Sequence, residues 1–226
     1  MTTRVAVIQF PGTNCELDVA EVVSLLGAEP RIVFHDDSSL HGADAVVIAG
    51  GFAHGDYLRP GAIARFSPVM EPIRSFAKDG GPVVGICNGF QVLTEARLLP
   101  GALQKNARLK FKCEMVDLRV ESTDSALTRE ARIGQILRMP INHFEGNYTC
   151  SPETLAELRS EDRVVLRYVD NPNGSMDDIA GICNAERNVV GLMPHPERAS
   201  HELLGSQDGL VLLRSVLAAA GAPVPA

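Results

Sequence analysis

The sequence predicts an α/β protein built on an open, mostly parallel sheet with helices on both faces. To this sheet a region of mixed or antiparallel strands is added. Three observations predict it. Short apolar runs alternate with helical patterns through the first hundred residues, the signature of parallel strands joined by crossover helices. Two of those runs stop abruptly at glycine-bounded turns, Gly50-Gly51 and Gly85-Ile86-Cys87-Asn88-Gly89. Beyond Pro100-Gly101 the texture changes to longer strands of mixed polarity. The 226 residues suit a single domain spanning 1–226.

Each element has its own local reason. Residues 4–10 are a buried strand, and Pro11-Gly12 turns the chain. Thr13 with Glu16 has the spacing of a capping box, which predicts a helix from about Asn14 to Leu26, ended by Gly27. Residues 31–34 and 45–49 are the second and third strands. A loop holding Gly55, Pro60 and Gly61 leads into a helical pattern toward Lys78. Residues 82–97 read as strand, tight bend and helix. In the second half, 111–121, 136–142 and 163–169 are strand candidates, and Asn171-Pro172-Asn173-Gly174-Ser175 is a strong turn. Residues 179–184 and 188–193 form a pair joined by a short polar turn. A last helix covers about 206–220, with a frayed tail over 221–225.

Composition narrows the function. Hydrophobic residues make up 45% and charged residues 22%, ordinary for a globular protein. A net charge of −7 without any Lys/Arg run argues against nucleic acid as a partner. No apolar run approaches membrane-spanning length, and no signal-peptide pattern opens the chain, so no membrane partner and a cytoplasmic location are expected. The five cysteines, Cys15, Cys87, Cys113, Cys150 and Cys183, are odd in number and widely spaced. They suggest free thiols, with neither a disulfide framework nor a metal site.

Cys87 is the leading nucleophile candidate. It stands between small residues at a strand-to-helix bend, an arrangement known from hydrolases with serine at its centre. There the positive end of a helix dipole favours the thiolate. The bland alternative is a buried structural cysteine. Cys15, in the first turn of a helix, is a weaker candidate with no histidine nearby in sequence. A thiol nucleophile needs a base, and the base an orienting group. Met193-Pro194-His195-Pro196-Glu197-Arg198 offers His195 and Glu197 two residues apart on a proline-stiffened segment. Asn142-His143-Phe144-Glu145-Gly146 offers a second His-x-Glu of identical spacing, and spacing alone does not choose between them. The Asn88 N–H, following the nucleophile, is a natural oxyanion donor, and the Gly50-Gly51-Phe52 turn can supply another.

Glycine turn, Gly-x-Cys-x-Gly bend and late His-Pro-Glu, in that order, resemble the class I (triad) glutamine amidotransferases, whose flavodoxin-like fold agrees with the predicted sheet. Phe10-Pro11-Gly12-Thr13-Asn14-Cys15, the Gly50–Arg59 loop, Gly85–Gln91, Asn171–Ser175 and Met193–Arg198 are similar to one branch, the separate glutaminase subunits of phosphoribosylformylglycinamidine synthase. The chain departs from that branch in carrying Phe144 between His143 and Glu145. The resemblance implies Cys87 as nucleophile, His195 as base and acid, Glu197 as its orienter, Gly51 and Asn88 as the oxyanion hole, and Gln91 as a group holding the substrate L-glutamine. His143 would line the site or a subunit interface. No cofactor is implied for this chain. ATP and Mg are implied on a partner synthetase subunit that amidates formylglycinamide ribonucleotide in purine synthesis, alongside a small accessory subunit. An exposed apolar patch near the site would mark the docking face. The rival readings are a cysteine peptidase-like hydrolase and a non-catalytic interaction protein.

Overall fold

The computed structural model describes residues 2–222. Its centre is a nine-stranded sheet. In chain order the elements are β1 (Arg4–Gln9), α1 (Glu16–Leu25), β2 (Glu29–Phe34), β3 (Ala45–Ile48), α2 (Met70–Lys78), β4 (Val83–Ile86), α3 (Asn88–Glu95), β5 (Ala102–Gln104), β6 (Lys112–Val120), β7 (Ile136–His143), β8 (Asn147–Thr149), α4 (Pro152–Ser160), β9 (Val164–Tyr168), β10 (Ile179–Cys183), β11 (Val189–Leu192) and α5 (Gly209–Ala219). The strand order is β2-β1-β3-β4-β11-β10-β9-β6-β7, and β5 pairs with β8 in a separate ribbon.

The sheet is mixed, as the sequence texture anticipates. Strands β2, β1, β3, β4 and β11 run parallel. From β11 outward, β10, β9, β6 and β7 are joined antiparallel. β3, β4 and β11 are buried along their whole length, so each reads as a continuous apolar run, as a covered parallel strand requires.

Two expectations need correction. The capping box at Thr13 and Glu16 does not form. Residue Thr13 is drawn into a bridge with Gly51, and its hydroxyl accepts the Phe10 N–H at 2.9 Å. Glu16 accepts from the Gln9 amide at 2.7 Å, so α1 starts after Cys15 without a side-chain cap. Helix α4 was not anticipated, although Ser151-Pro152 is a start signal: the Ser151 hydroxyl accepts the Thr154 N–H, with proline in the first turn. Most of the expected frayed tail lies outside the described residues.

The antiparallel half curls back over the parallel half. β7 lies four strands from β11 in the order, a span of about 19 Å in a flat sheet at ordinary strand spacing. Yet the His195 N–H donates to the Pro140 carbonyl of β7 at 2.9 Å. A curl of the sheet, with the reach of residues 193–195 beyond β11, brings those atoms together, and it sets the end of β7 beside β4: the Cys87 sulfur lies 3.8 Å from the Asn142 carbonyl oxygen.

Helix α3 lies close against the parallel strands, and two glycines make this possible. A Cβ on Gly85 would sit 2.6 Å from the Gly89 backbone, and one on Gly89 would sit 2.1 Å from the Ile48 carbonyl oxygen of β3. A Gly89→Ala substitution therefore pushes helix and sheet apart. It is expected to cost about 2 kcal/mol or more, measured as a fall in stability by urea unfolding.

Candidate active site

Three neighbouring strands, β3, β4 and β11, deliver the site. Ile48 pairs with Gly85, and Ile86 with Leu192, so their carboxyl ends lie side by side. The residues just beyond them are Gly50-Gly51, Cys87 and His195. Ligands in such sheets bind beyond the carboxyl ends of the strands.

Cys87 holds an unusual backbone, φ 52° and ψ −105°, in a region that side chains other than glycine rarely occupy. The conformation is held from both sides. Its N–H donates to the Leu192 carbonyl at 2.8 Å, and its own carbonyl accepts from Phe90 and Gln91 at the start of α3. Such strain costs on the order of 1–3 kcal/mol and persists only where the surroundings impose it. The thiol is buried and lies 3.8 Å from the Asn142 carbonyl oxygen of β7.

His195 and Glu197 are fully enclosed, and His195 Nδ1 meets Glu197 Oε1 at 2.6 Å. Burial alone would push the imidazole's pKa down, but Glu197, the Cys87 thiol and Cys15 together hold it well above the ordinary range. With Nδ1 bound to Glu197, Nε2 is the nitrogen left for proton transfer, and it has no protein hydrogen-bond partner. Cys15, remote from any histidine in sequence, proves close in space. Its sulfur lies 4.0 Å from His195 Nδ1 and accepts from Arg198 Nη2 at 3.1 Å. The ligating atoms of Cys15, His195 and Glu197 lie within 4.8 Å of one another. A guanidinium already on the Cys15 sulfur, and a carboxylate already bonded to Nδ1, make this a poor cation cradle.

The structure separates the two His-x-Glu candidates. His143, buried at the end of β7, pairs through Nδ1 with Asn106 Oδ1 at 3.2 Å, not with Glu145. Burial first, and the neighbouring His195 second, push its pKa down to about 3. Both histidines thus border the same space, but only His195 has a carboxylate at its back.

The N–H groups of Gly51 and Asn88, expected as oxyanion donors, lie outside the backbone ladders around them. The bridge of Thr13 with Gly51 is made by flanking groups: Asn14 N–H to Gly50 at 3.0 Å and Phe52 N–H to Gly12 at 2.8 Å. That pattern leaves the Gly51 N–H outside the ladder. Gly51 has φ 150°, and a Cβ there would lie 2.6 Å from Asn14 N. The Asn88 N–H belongs to the first turn of α3, where no intrahelical acceptor exists. The Asn88 side chain is engaged: it accepts from Ala53 N–H at 2.9 Å and donates to Asp56 at 3.0 Å and to Gln91 Oε1 at 2.8 Å. Gln91 donates onward to the Glu145 carbonyl at 2.5 Å. Burial, opposed by the Asn88 hydrogen bond and reinforced by Glu145, pushes the Asp56 carboxyl up to about 6.

Several contributors had no strong sequence signal. Asn106 braces His143 and the Gly146 N–H. Asn173, in the turn 171–175, donates to the Gly146 carbonyl at 2.9 Å, so that turn supports the loop after β7. Asn106 lies in no motif, whereas Asn173 and Arg198 sit inside segments already singled out. Of the other thiols, burial pushes Cys150 and Cys183 up, as suits unreactive cysteines.

The sequence comparisons bear on this geometry directly. A family described as a CobB/CobQ-like glutamine amidotransferase domain matches residues 2–208. The chain belongs to that family. The chain is 59% identical to the phosphoribosylformylglycinamidine synthase subunit PurQ of Rubrobacter xylanophilus, covering 96% of this chain and 99% of that one. It is 51% identical to the protein of the same name from Koribacter versatilis, with 96% and 98% coverage. The solved structure of PurLQS from Thermotoga maritima contains a chain that superposes with a TM-score of 0.89 at 42% identity, covering 96% of this chain and 99% of that one. That membership sets aside the peptidase reading.

Two expected outcomes test the geometry. Replacing Cys87 by glycine relieves the backbone strain that alanine retains, so Cys87→Gly should be more stable than Cys87→Ala by about 1 kcal/mol, read from denaturant midpoints. His143 takes up its proton near pH 6.5 when unfolded and near about 3 when folded. The unfolded state then holds more protons between those values, and stability falls as pH falls below about 6.5. Between pH 7 and 5 the wild type should lose up to about 2 kcal/mol more than His143→Gln, measured by urea unfolding at the two pH values.

Proposed function

We propose that this chain is the glutaminase subunit of a phosphoribosylformylglycinamidine synthase, one domain working in the cytoplasm, with Cys87, His195 and Glu197 as its catalytic triad. The observation that carries the reading is the 2.6 Å contact of Glu197 with His195 Nδ1. It fixes the tautomer and directs Nε2 to proton transfer with Cys87. Cys15 faces the nitrogen that Glu197 already holds, so it is poorly placed as the nucleophile.

The Cys87 thiolate attacks the side-chain amide carbon of glutamine. The oxyanion that forms is held by the N–H groups of Gly51 and Asn88. His195, protonated, gives its proton to the amide nitrogen, because an amide anion leaves very poorly. Ammonia departs and a glutamyl thioester remains. Water then attacks the thioester while His195 takes up its proton. The C–S bond breaks, glutamate leaves and the thiolate returns. Gln91 acts from behind Asn88, its own amide tied between Asn88 and the Glu145 carbonyl.

The released ammonia is used by a synthetase subunit that binds ATP and Mg and amidates formylglycinamide ribonucleotide. A small accessory subunit completes the assembly. Phe52, Tyr57 and Leu58 follow the Gly51 turn and are exposed by 48%, 74% and 90%. This apolar face beside the site suits a protein partner.

The test uses the assembled complex. Cys87→Ser and His195→Ala should each lower glutamine-dependent turnover by about a thousandfold or more while ammonia-dependent synthesis survives. Should His143→Ala abolish the glutamine reaction and His195→Ala leave it largely intact, the assigned base is wrong.

A further inference from the structure

We infer that Asp56 is a positioning residue for the oxyanion hole, acting through the side-chain amide of Asn88. The inference rests on the glutaminase reading above and deepens it.

The two proposed donors come from different parts of the chain. Gly51 follows β3, whereas Asn88 opens α3 after β4. The Asn88 side chain cross-links them. Its Oδ1 accepts from the N–H of Ala53, two residues beyond Gly51, at 2.9 Å. Its Nδ2 donates to Asp56 Oδ1 at 3.0 Å and to Gln91 Oε1 at 2.8 Å. Both amide protons and the amide oxygen are therefore used. Turned over, the same amide would aim its NH2 at the Ala53 N–H and its oxygen at two other oxygens. The Ala53 N–H at one end and the Glu145 carbonyl at the other fix the direction of both amides. Asp56 is the acceptor through which the Asn88 amide also holds the loop beyond Ala53.

The backbone around Asp56 supports the same role. His54, Gly55, Asp56 and Leu58 all have positive φ, at 53°, 73°, 53° and 69°. Three of these are residues that ordinarily avoid that region, so something must hold the loop there. The loop is held by the His54 N–H to the Pro11 carbonyl, the His54 ring against Ser67 Oγ at 3.3 Å and edge-on to His35, the Gly55 N–H to the Phe52 carbonyl at 2.8 Å, and the Arg59–Glu95 ion pair beyond, while the Asp56 side chain itself is held by Asn88. Releasing Asp56 removes the side-chain hydrogen bond that ties this segment to α3. The loop can then relax, drawing Ala53 and with it the Gly51 turn away from α3. Asp56 touches no reacting atom. Its effect falls on the distance between two donors, which matters most when negative charge has developed, so it should appear in kcat more than in KM.

The experiment compares Asp56→Ala and Asp56→Asn with wild type in the complex assembled with the synthetase, with Cys87→Ala alongside. Asp56→Ala should lower kcat for glutamine at least about tenfold with KM within about threefold, and ammonia-dependent synthesis should stay at wild-type rate. Asparagine keeps an oxygen to accept the Asn88 proton, so Asp56→Asn should recover most of the lost kcat. An unchanged kcat in Asp56→Ala overturns the inference. So does an effect confined to KM, an asparagine variant as poor as alanine, or a parallel loss of ammonia-dependent synthesis, which would signal a docking or folding defect. Failure of the underlying reading looks different: Cys87→Ala would itself retain glutamine-dependent turnover.

Discussion

The parallel pairing of β3, β4 and β11 is the constraint from which the rest follows. Because the three strands run in one direction and in register, the segments that leave them emerge together. A glycine turn, a thiol and an imidazole spread over residues 50–195 thereby become neighbours. A parallel ladder is rigid on the scale that chemistry needs, since its ends are fixed by the same hydrogen bonds that build the core. Glycines at 85 and 89 then let α3 settle so near β3 that the first turn of the helix can face the same space.

Charge and confinement act together at that edge. The imidazole of His195 is buried, which disfavours its charge, but it lies against a buried carboxylate and between two thiols, which favours it. Glu197 leaves one oxygen without a protein partner. Charges so enclosed interact more strongly than charges in water. The result is a closely held, enclosed pair at the edge where the strained Cys87 also lies. His143, also buried, is braced by an amide instead of a carboxylate and stays neutral. The opposite shifts of the two imidazoles follow the neighbour at Nδ1, Glu197 against Asn106.

Much of this was legible in the sequence, and the reasons are local. Strands 4–10, 45–49 and 82–86 are short apolar runs bounded by turn residues, and the bend at Cys87 is marked by its glycines. Hence the fold class and the position of the bend could be read. What could not be read depended on tertiary competition. Thr13 and Glu16 have capping-box spacing, yet the bridge with Gly51 holds this segment extended, and the Thr13 hydroxyl and the Glu16 carboxylate are taken by the Phe10 N–H and the Gln9 amide. Two His-x-Glu segments look alike as text, and only the curl of the sheet and the presence of Asn106 distinguish them. Cys15 carries no sequence hint of its place beside His195 and Arg198. The direction in which the Asn88 amide points is likewise invisible until Ala53 and Asp56 are placed around it.

The position of β11 bears on how the chain is made. β11 is the last strand in sequence, yet it fills the slot between β4 and β10 near the middle of the sheet. Until residues 189–192 have left the ribosome, β4 presents a bare, wholly apolar edge to solvent. Such an edge is a template for pairing with another copy, and the contacts that cover it span more than a hundred residues, which slows their formation. The nascent chain therefore carries a pairing-competent edge until its last strand is in place.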